Sequence, residues 1–340
     1  MAADLYLEGL GWFLPAATMT AHDLMAASGI PEEILRQKFG LLEKHIAGPK
    51  ESPSEMAARA GKQALEEAGL APRDIDGIIY FGSPHKDYHL WPIGPRIQEI
   101  LGLTRAFAFE VGAVSAGLPF ALETARGWFA THEECRHLLL VGASAESHLL
   151  DYRDASARFT FNFGDGAAAV VVSSDSKKGL ARLKGSAFLT DGQFSRYVKV
   201  PAGGHLLPAS HATVAGNLHH LTVENLEDMR SKLESISLRN FVQMGKEAMA
   251  KAGFKALDLL LPLHTKRSLF EAFLQAFGVP EERALYLQDT GHMSALDPLL
   301  ALARVARERR NLLFPGARLL FLTAGTGYTW AASALEWVAP

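Results

Sequence analysis

A hydroxyl, two imidazoles and a glycine-rich turn are the residues of this chain whose types and settings suit acyl transfer. Ser115 stands in Phe109-Glu110-Val111-Gly112-Ala113-Val114-Ser115-Ala116-Gly117-Leu118-Pro119, where an apolar run ends in small residues and a helix is expected to open. At such a joint, unpaired backbone N–H groups and the helix dipole favour negative charge. The same N–H groups can hold an oxyanion. His264 follows the apolar run 259–263, His292 follows 284–287, and Gly325-Thr326-Gly327 follows 318–323. In open α/β sheets, ligands bind just past the carboxyl ends of strands. Ser115, His264, His292 and the turn are therefore expected to meet in one pocket. They would supply nucleophile, base, orienter or second donor, and oxyanion hole, the last from the backbone of Ser115, Thr326 and Gly327. Each feature also has a plainer reading: a serine N-cap, two structural members of a set of 13 histidines, and a tight bend between strands.

The elements that must position these groups are legible in outline. Strands are expected over 5–14, 75–81, 106–111, 137–143, 167–173, 259–263, 284–287 and 318–323. Helices are expected over 21–28, 31–38, 52–69, 92–101 and 116–130. Gly61-Lys62-Gln63-Ala64-Leu65-Glu66-Glu67-Ala68-Gly69 returns as Gly245-Lys246-Glu247-Ala248-Met249-Ala250-Lys251-Ala252-Gly253. Each copy is followed by aspartate and an apolar strand, at Asp76 and at Asp258. A helix–strand pair repeated at a nearly constant offset implies two similar halves. The halves are expected at 1–175, with the nucleophile turn, and at 176–340, with both histidines and the glycine-rich turn. Helices alternating with fully apolar strands indicate α/β architecture with parallel sheets covered on both faces.

Composition narrows the function. The net charge of −3 and the lack of a long basic tract argue against nucleic acid. One cysteine, Cys135, rules out a disulfide framework and a cysteine-rich metal site. No metal site is expected, because the two histidines lack a carboxylate partner identifiable in the sequence. No apolar run is long enough to span a membrane, and the N-terminus does not read as a signal peptide. The expectation is a cytoplasmic protein.

With these motifs in place, the chain resembles the condensing enzymes of the thiolase superfamily, specifically β-ketoacyl-acyl-carrier-protein synthase III. The resemblance runs in order through Leu41-Leu42-Glu43-Lys44-His45-Ile46-Ala47, Ser54-Glu55-Met56-Ala57, Val111 to Gly117, Phe163-Gly164-Asp165-Gly166, and Gly325 to Trp330. It implies a thiolase fold, five-layered αβαβα, made of two duplicated halves and usually dimeric. It also implies acyl transfer from a coenzyme A thioester without a permanently bound cofactor, with acyl carrier protein as a partner and decarboxylative condensation as the second step. The family nucleophile is cysteine, and Ser115 takes its place. The family histidine falls at His264 and its asparagine at His292. The tryptophan that stacks on adenine in some members falls at Ile34, and the nearby arginine at Lys38. Trp91 falls in the segment sent toward the partner's acyl pocket. Lys266 and Arg267, with Arg196 and Lys199, are candidates for a basic rim facing coenzyme A phosphates or an acidic carrier protein; solvated faces would look the same.

Serine changes the chemistry required. A helix dipole helps ionise a thiol but not an alcohol at neutral pH, so Ser115 needs a base within hydrogen-bond reach. His264 or His292 is expected to be that base, with an acyl ester as intermediate. Two alternatives remain open at this point. One is decarboxylation of a malonyl thioester without an acyl-enzyme. The other is a non-catalytic subunit that partners an active homologue.

Overall fold

The computed structural model describes residues 3–175 and 177–340. Its first half builds β1 (Tyr6–Phe13), α1 (Pro53–Ala68), β2 (Gly77–Tyr80), α2 (Ile93–Leu101), β3 (Phe107–Glu110), α3 (Gly117–Thr131), β4 (His137–Ala145) and β5 (Asp165–Ser173). The second builds β6 (Ala181–Thr190), α4 (Leu226–Ala252), β7 (Leu259–Pro262), α5 (Arg267–Phe277), α6 (Asp297–Glu308), β8 (Arg318–Gly325) and β9 (Thr329–Trp337). The expected junction at residue 176 lies outside the described residues.

The pairing repeats. In the first half β3, β2 and β4 run parallel, then β5 and β1 follow antiparallel. In the second, β7 and β8 run parallel, then β9 and β6 follow antiparallel. The halves join edge to edge where Tyr6 and Leu7 face Arg182 and Ala181. The expectation of all-parallel sheets is corrected: both are mixed. Strands buried on both faces read as unbroken apolar runs whichever way they point, so the sequence does not carry their direction. The expected strand 284–287 is also corrected, since only Ala284 pairs, in one parallel bridge to Leu260. A 3-10 turn at Glu281–Arg283 runs directly into it.

Burial sorts the helices into layers. α1 and α2 cover the outer face of the first sheet through Met56, Ala60, Ala64 and Ile97 against Ile78, Leu139 and Val171. α3 and α6 lie between the sheets, placing Leu118, Leu122, Leu299 and Leu302 against Leu140 and Val170 on one side and Leu261 and Phe321 on the other. α4 and α5 cover the far face through Phe241, Met244, Phe270 and Phe273. The result is five layers, αβαβα. Neighbouring strand residues alternate between layers, Leu259 and Leu261 facing the middle and Leu260 the outside.

An N-terminal cap sits on this frame. The strands Thr18–Thr20 and Glu43–His45 pair antiparallel, and the helix Ala21–Ser28 lies between them in sequence. The helix expected over 31–38 is α-helical only at Glu32–Ile34 and continues as a π-turn over Leu35–Phe39. Leu24, Leu35 and Leu41 of the cap pack on Phe161. No helix among the described residues is long and apolar enough to cross a membrane.

Candidate active site

The nucleophile turn follows β3. Val114–Ala116 form a 3-10 turn that runs into α3. Val114 has φ +47, left-handed backbone that a β-branched residue rarely adopts, costing about 1–3 kcal/mol. That bend lifts Ser115 out of the line of strand and helix. Small residues around it are a steric requirement. A Cβ on Gly117 would sit 2.4 Å from the Phe81 carbonyl. A Cβ on Gly325 would sit 2.3 Å from the Ala113 carbonyl and 3.1 Å from the Ser115 nitrogen. The end of β8 thus presses directly on the nucleophile turn. Cys135 is no substitute: burial, helped by Asp76 and Glu134, pushes its thiol up to about 12.

The imidazole that meets Ser115 comes from the other half. Gly291, at φ +72, turns the chain so that His292 pairs with Phe163 in a parallel bridge. The His292 N–H donates to the Asn162 carbonyl, and the Gly164 N–H to the His292 carbonyl, both at 2.9 Å. The Phe163 ring meets the imidazole edge-on at 5.1 Å. His292 Nε2 lies 2.9 Å from Ser115 Oγ, and Nδ1 lies 2.6 Å from Asp297 Oδ2. Asp297 is fully buried and opens α6, with Pro298 behind it. Its Oδ1 also accepts the Met293 N–H at 2.8 Å, and its Oδ2 the His264 N–H at 2.7 Å. A carboxylate at Nδ1 selects the tautomer with its proton there, leaving Nε2 free to accept from the serine. Burial pulls the His292 pKa down, but Asp297, with Glu146 behind it, more than offsets this and holds it above the usual histidine value.

Of the expected Ser115, His264 and His292, the structure brings Ser115 and His292 into hydrogen-bond contact and adds the Asp297 carboxylate behind the imidazole, while the His264 ring bonds to neither. His264 is buried with its ring 4.9 Å from that of Tyr286, and neither ring nitrogen has a partner among the described residues. Burial pushes its pKa down to about 4, so the ring is neutral. Asp297 was missed because it lies five residues beyond His292 and reads as an ordinary Asp-Pro helix start. Glu146, at the end of β4, was also missed. It is buried, accepts from Ser83 Oγ at 2.7 Å, and has its pKa raised by burial.

The rim residues divide. Arg267 donates to Glu271 at 2.9 Å and Glu281 at 2.6 Å, so its charge is already engaged within the protein. Lys199 is paired with Glu224. Lys38, Lys266 and Arg196 are exposed. Trp91 is half-buried against the α1–α2 core, its ring edge-on to Tyr88 at 5.4 Å. Thr326 and Gly327 lie in the tight connection between β8 and β9, one and two residues past the contact at Gly325.

Two α/β halves sharing a central helical layer, with the site where they meet, make this a thiolase-fold protein. Residues 109–192 match the family described as 3-Oxoacyl-[acyl-carrier-protein (ACP)] synthase III, and residues 249–337 match its C-terminal part. A β-ketoacyl-[acyl-carrier-protein] synthase III of Cereibacter sphaeroides is 31% identical over 99% of this chain and 100% of its own length. The crystal structure of 3-oxoacyl-(acyl carrier protein) synthase III from Pseudomonas aeruginosa superposes with a TM-score of 0.84 at 25% identity, covering 99% of both chains. That of a priming β-ketosynthase from a polyketide biosynthetic pathway does so with 0.85 at 24% identity, covering 100% of this chain and 98% of that one. The chain belongs to the β-ketoacyl-acyl-carrier-protein synthase III family.

Proposed function

We propose that this protein is an acyltransferase that carries its acyl group as an ester on Ser115. The observation that supports this reading is the continuous pair of hydrogen bonds from Ser115 Oγ to His292 and from His292 to Asp297. In the first step His292 Nε2 takes the hydroxyl proton while Oγ attacks the thioester carbonyl of an acyl-coenzyme A or acyl carrier protein. The Ser115 N–H and the Gly325–Gly327 turn hold the oxyanion, with the neutral His264 ring as a further donor. The imidazolium returns its proton to the departing sulfur, and the thiol leaves. The acceptor then repeats these steps in reverse order. An ester is less reactive than a thioester, which favours an oxygen or nitrogen nucleophile or a carbanion formed by decarboxylation. No resident cofactor enters this scheme. Lys38 and Lys266 supply the exposed positive charge at the rim for coenzyme A phosphates, and Trp91 caps the partner's acyl pocket. The working unit is proposed to be a homodimer, supported by the family and by the projecting Tyr88 and Leu90, 69% and 107% exposed.

Intact mass measured after incubation with a panel of acyl-coenzyme A thioesters tests this. The expected result is an acyl mass on this chain that vanishes in Ser115→Ala. Acylation absent here but present in Ser115→Cys would overturn the ester mechanism. Carbon dioxide release from malonyl-coenzyme A that persists in Ser115→Ala would favour decarboxylation without an acyl-enzyme.

A further inference from the structure

Lys44 lies on the cap strand Glu43–His45 with 0% of its surface exposed. Its Nζ donates to the Phe161 carbonyl at 2.7 Å, the Phe163 carbonyl at 2.8 Å and Tyr152 Oη at 2.9 Å. The two carbonyls flank Asn162, whose own carbonyl receives the His292 N–H at 2.9 Å. The lysine stem follows the same strip. Its Cβ would lie 3.4 Å from a Cβ built on Gly164 and 3.0 Å from one built on Gly291. The imidazole of His292 is thus held from two sides, by Asp297 at its ring and by this strip at its backbone. Lys44 is the side chain that grips the strip.

A buried lysine is costly, and an apolar residue of similar length would fill the same space. Three acceptors use all three protons of an ammonium. Burial pushes the Lys44 pKa down to about 7, and nearby Asp165 works against that fall. Lysine here supplies what packing alone would not: three directed bonds that fix the bed of a catalytic loop.

We propose that Lys44 is a positioning residue for His292, its ammonium fixing the Phe161–Gly164 strip and thereby setting the approach of the imidazole to Ser115. The cap and the catalytic base are then one mechanical unit, although their residues lie about 250 positions apart in the sequence. The proposal rests on His292 being the base in the function proposed above.

Three variants test it: Lys44→Met, Lys44→Gln and Lys44→Arg. The first readout is Ser115 acylation by butyryl-coenzyme A. A displacement of about 1 Å at a catalytic group costs on the order of 100-fold in rate. Lys44→Met is therefore expected to lose about that in kcat with KM within about twofold, and Lys44→Arg to recover most of it. The second readout needs no turnover. The Nδ1 proton shared by His292 and Asp297 should give a far-downfield proton NMR resonance. It should persist in Lys44→Arg and shift or broaden in Lys44→Met. If Lys44→Met does not fold, Lys44→Gln, whose amide keeps two N–H donors but no charge, is read in its place. A folded Met or Gln variant with unchanged kcat and an unchanged resonance overturns the proposal. Should the wild-type chain fail to acylate at all, the acyl-ester reading falls, and the resonance alone decides whether Lys44 positions His292.

Discussion

In the function proposed above, Asp297 is the residue that turns a serine and a histidine into a reactive pair. One of its oxygens fixes the His292 tautomer and also accepts the His264 N–H; the other anchors Met293. Replacing it with asparagine keeps the shape but puts an amide where a carboxylate faced the ring N–H. In serine-hydrolase triads the corresponding change costs about 10⁴ in kcat, and a loss of that order is expected for acylation by Asp297→Asn. The pH profile gives an independent check. The base works when neutral, and the His292 pKa is held above its ordinary value. Acylation kcat/KM should therefore rise with pH through a midpoint above about 6.5. In Asp297→Asn the charge that holds the pKa up is gone and burial still pulls it down, so the limb should move to lower pH. A wild-type midpoint below 6 would contradict His292 as the base. His264, with its pKa near 4, should contribute no limb between pH 5 and 9. Ser115 was legible because it follows the end of β3 in a small-residue turn, and His292 because it follows an apolar run, although that run forms no strand. The carboxylate was not. Nothing in Asp-Pro distinguishes a helix cap from a triad member until the fold brings it to a ring nitrogen.

At the scale of elements, the close approach of β8 to the nucleophile turn leaves no room for a single added atom. Gly325→Ala must displace either the Ala113 carbonyl or the strand, because its methyl would lie 2.3 Å from that oxygen. The expected outcome is a fall in acylation rate of about 100-fold, read by the same mass assay. Strand β8 is paired along its whole length with β9 and over Leu319–Leu322 with β7, so circular dichroism should change little. Full activity in the alanine variant would mean that this turn does not shape the oxyanion site. The elements themselves were largely readable. α1 begins after Ser52 and ends at Gly69 in left-handed backbone, as the Ser-Pro start and glycine stop signal. What escaped was strand direction, since a strand covered on both faces carries no polar side to orient it.

At the scale of the whole molecule, the layer between the sheets is shared property. Leu299 on α6 is fully buried in the cluster that also holds Leu140 of the first sheet and Phe321 of the second. Leu299→Ala should cost about 2–5 kcal/mol. Because the halves share this core, calorimetry should show one cooperative transition moved downward. Two separated transitions would mean that the halves fold as independent units. The duplicated helix–strand segment in the sequence pointed to paired halves, but not to their common interior, which depends on contacts between residues far apart in the chain.

The triad draws Ser115 from one half and His292 and Asp297 from the other, and this bears on the protein's life before it is finished. While a ribosome is still adding the second half, the emerging chain carries the alcohol without its base. On the function proposed above, Ser115 can react only once His292 and Asp297 have folded against it, so reactivity would arrive together with the completed fold.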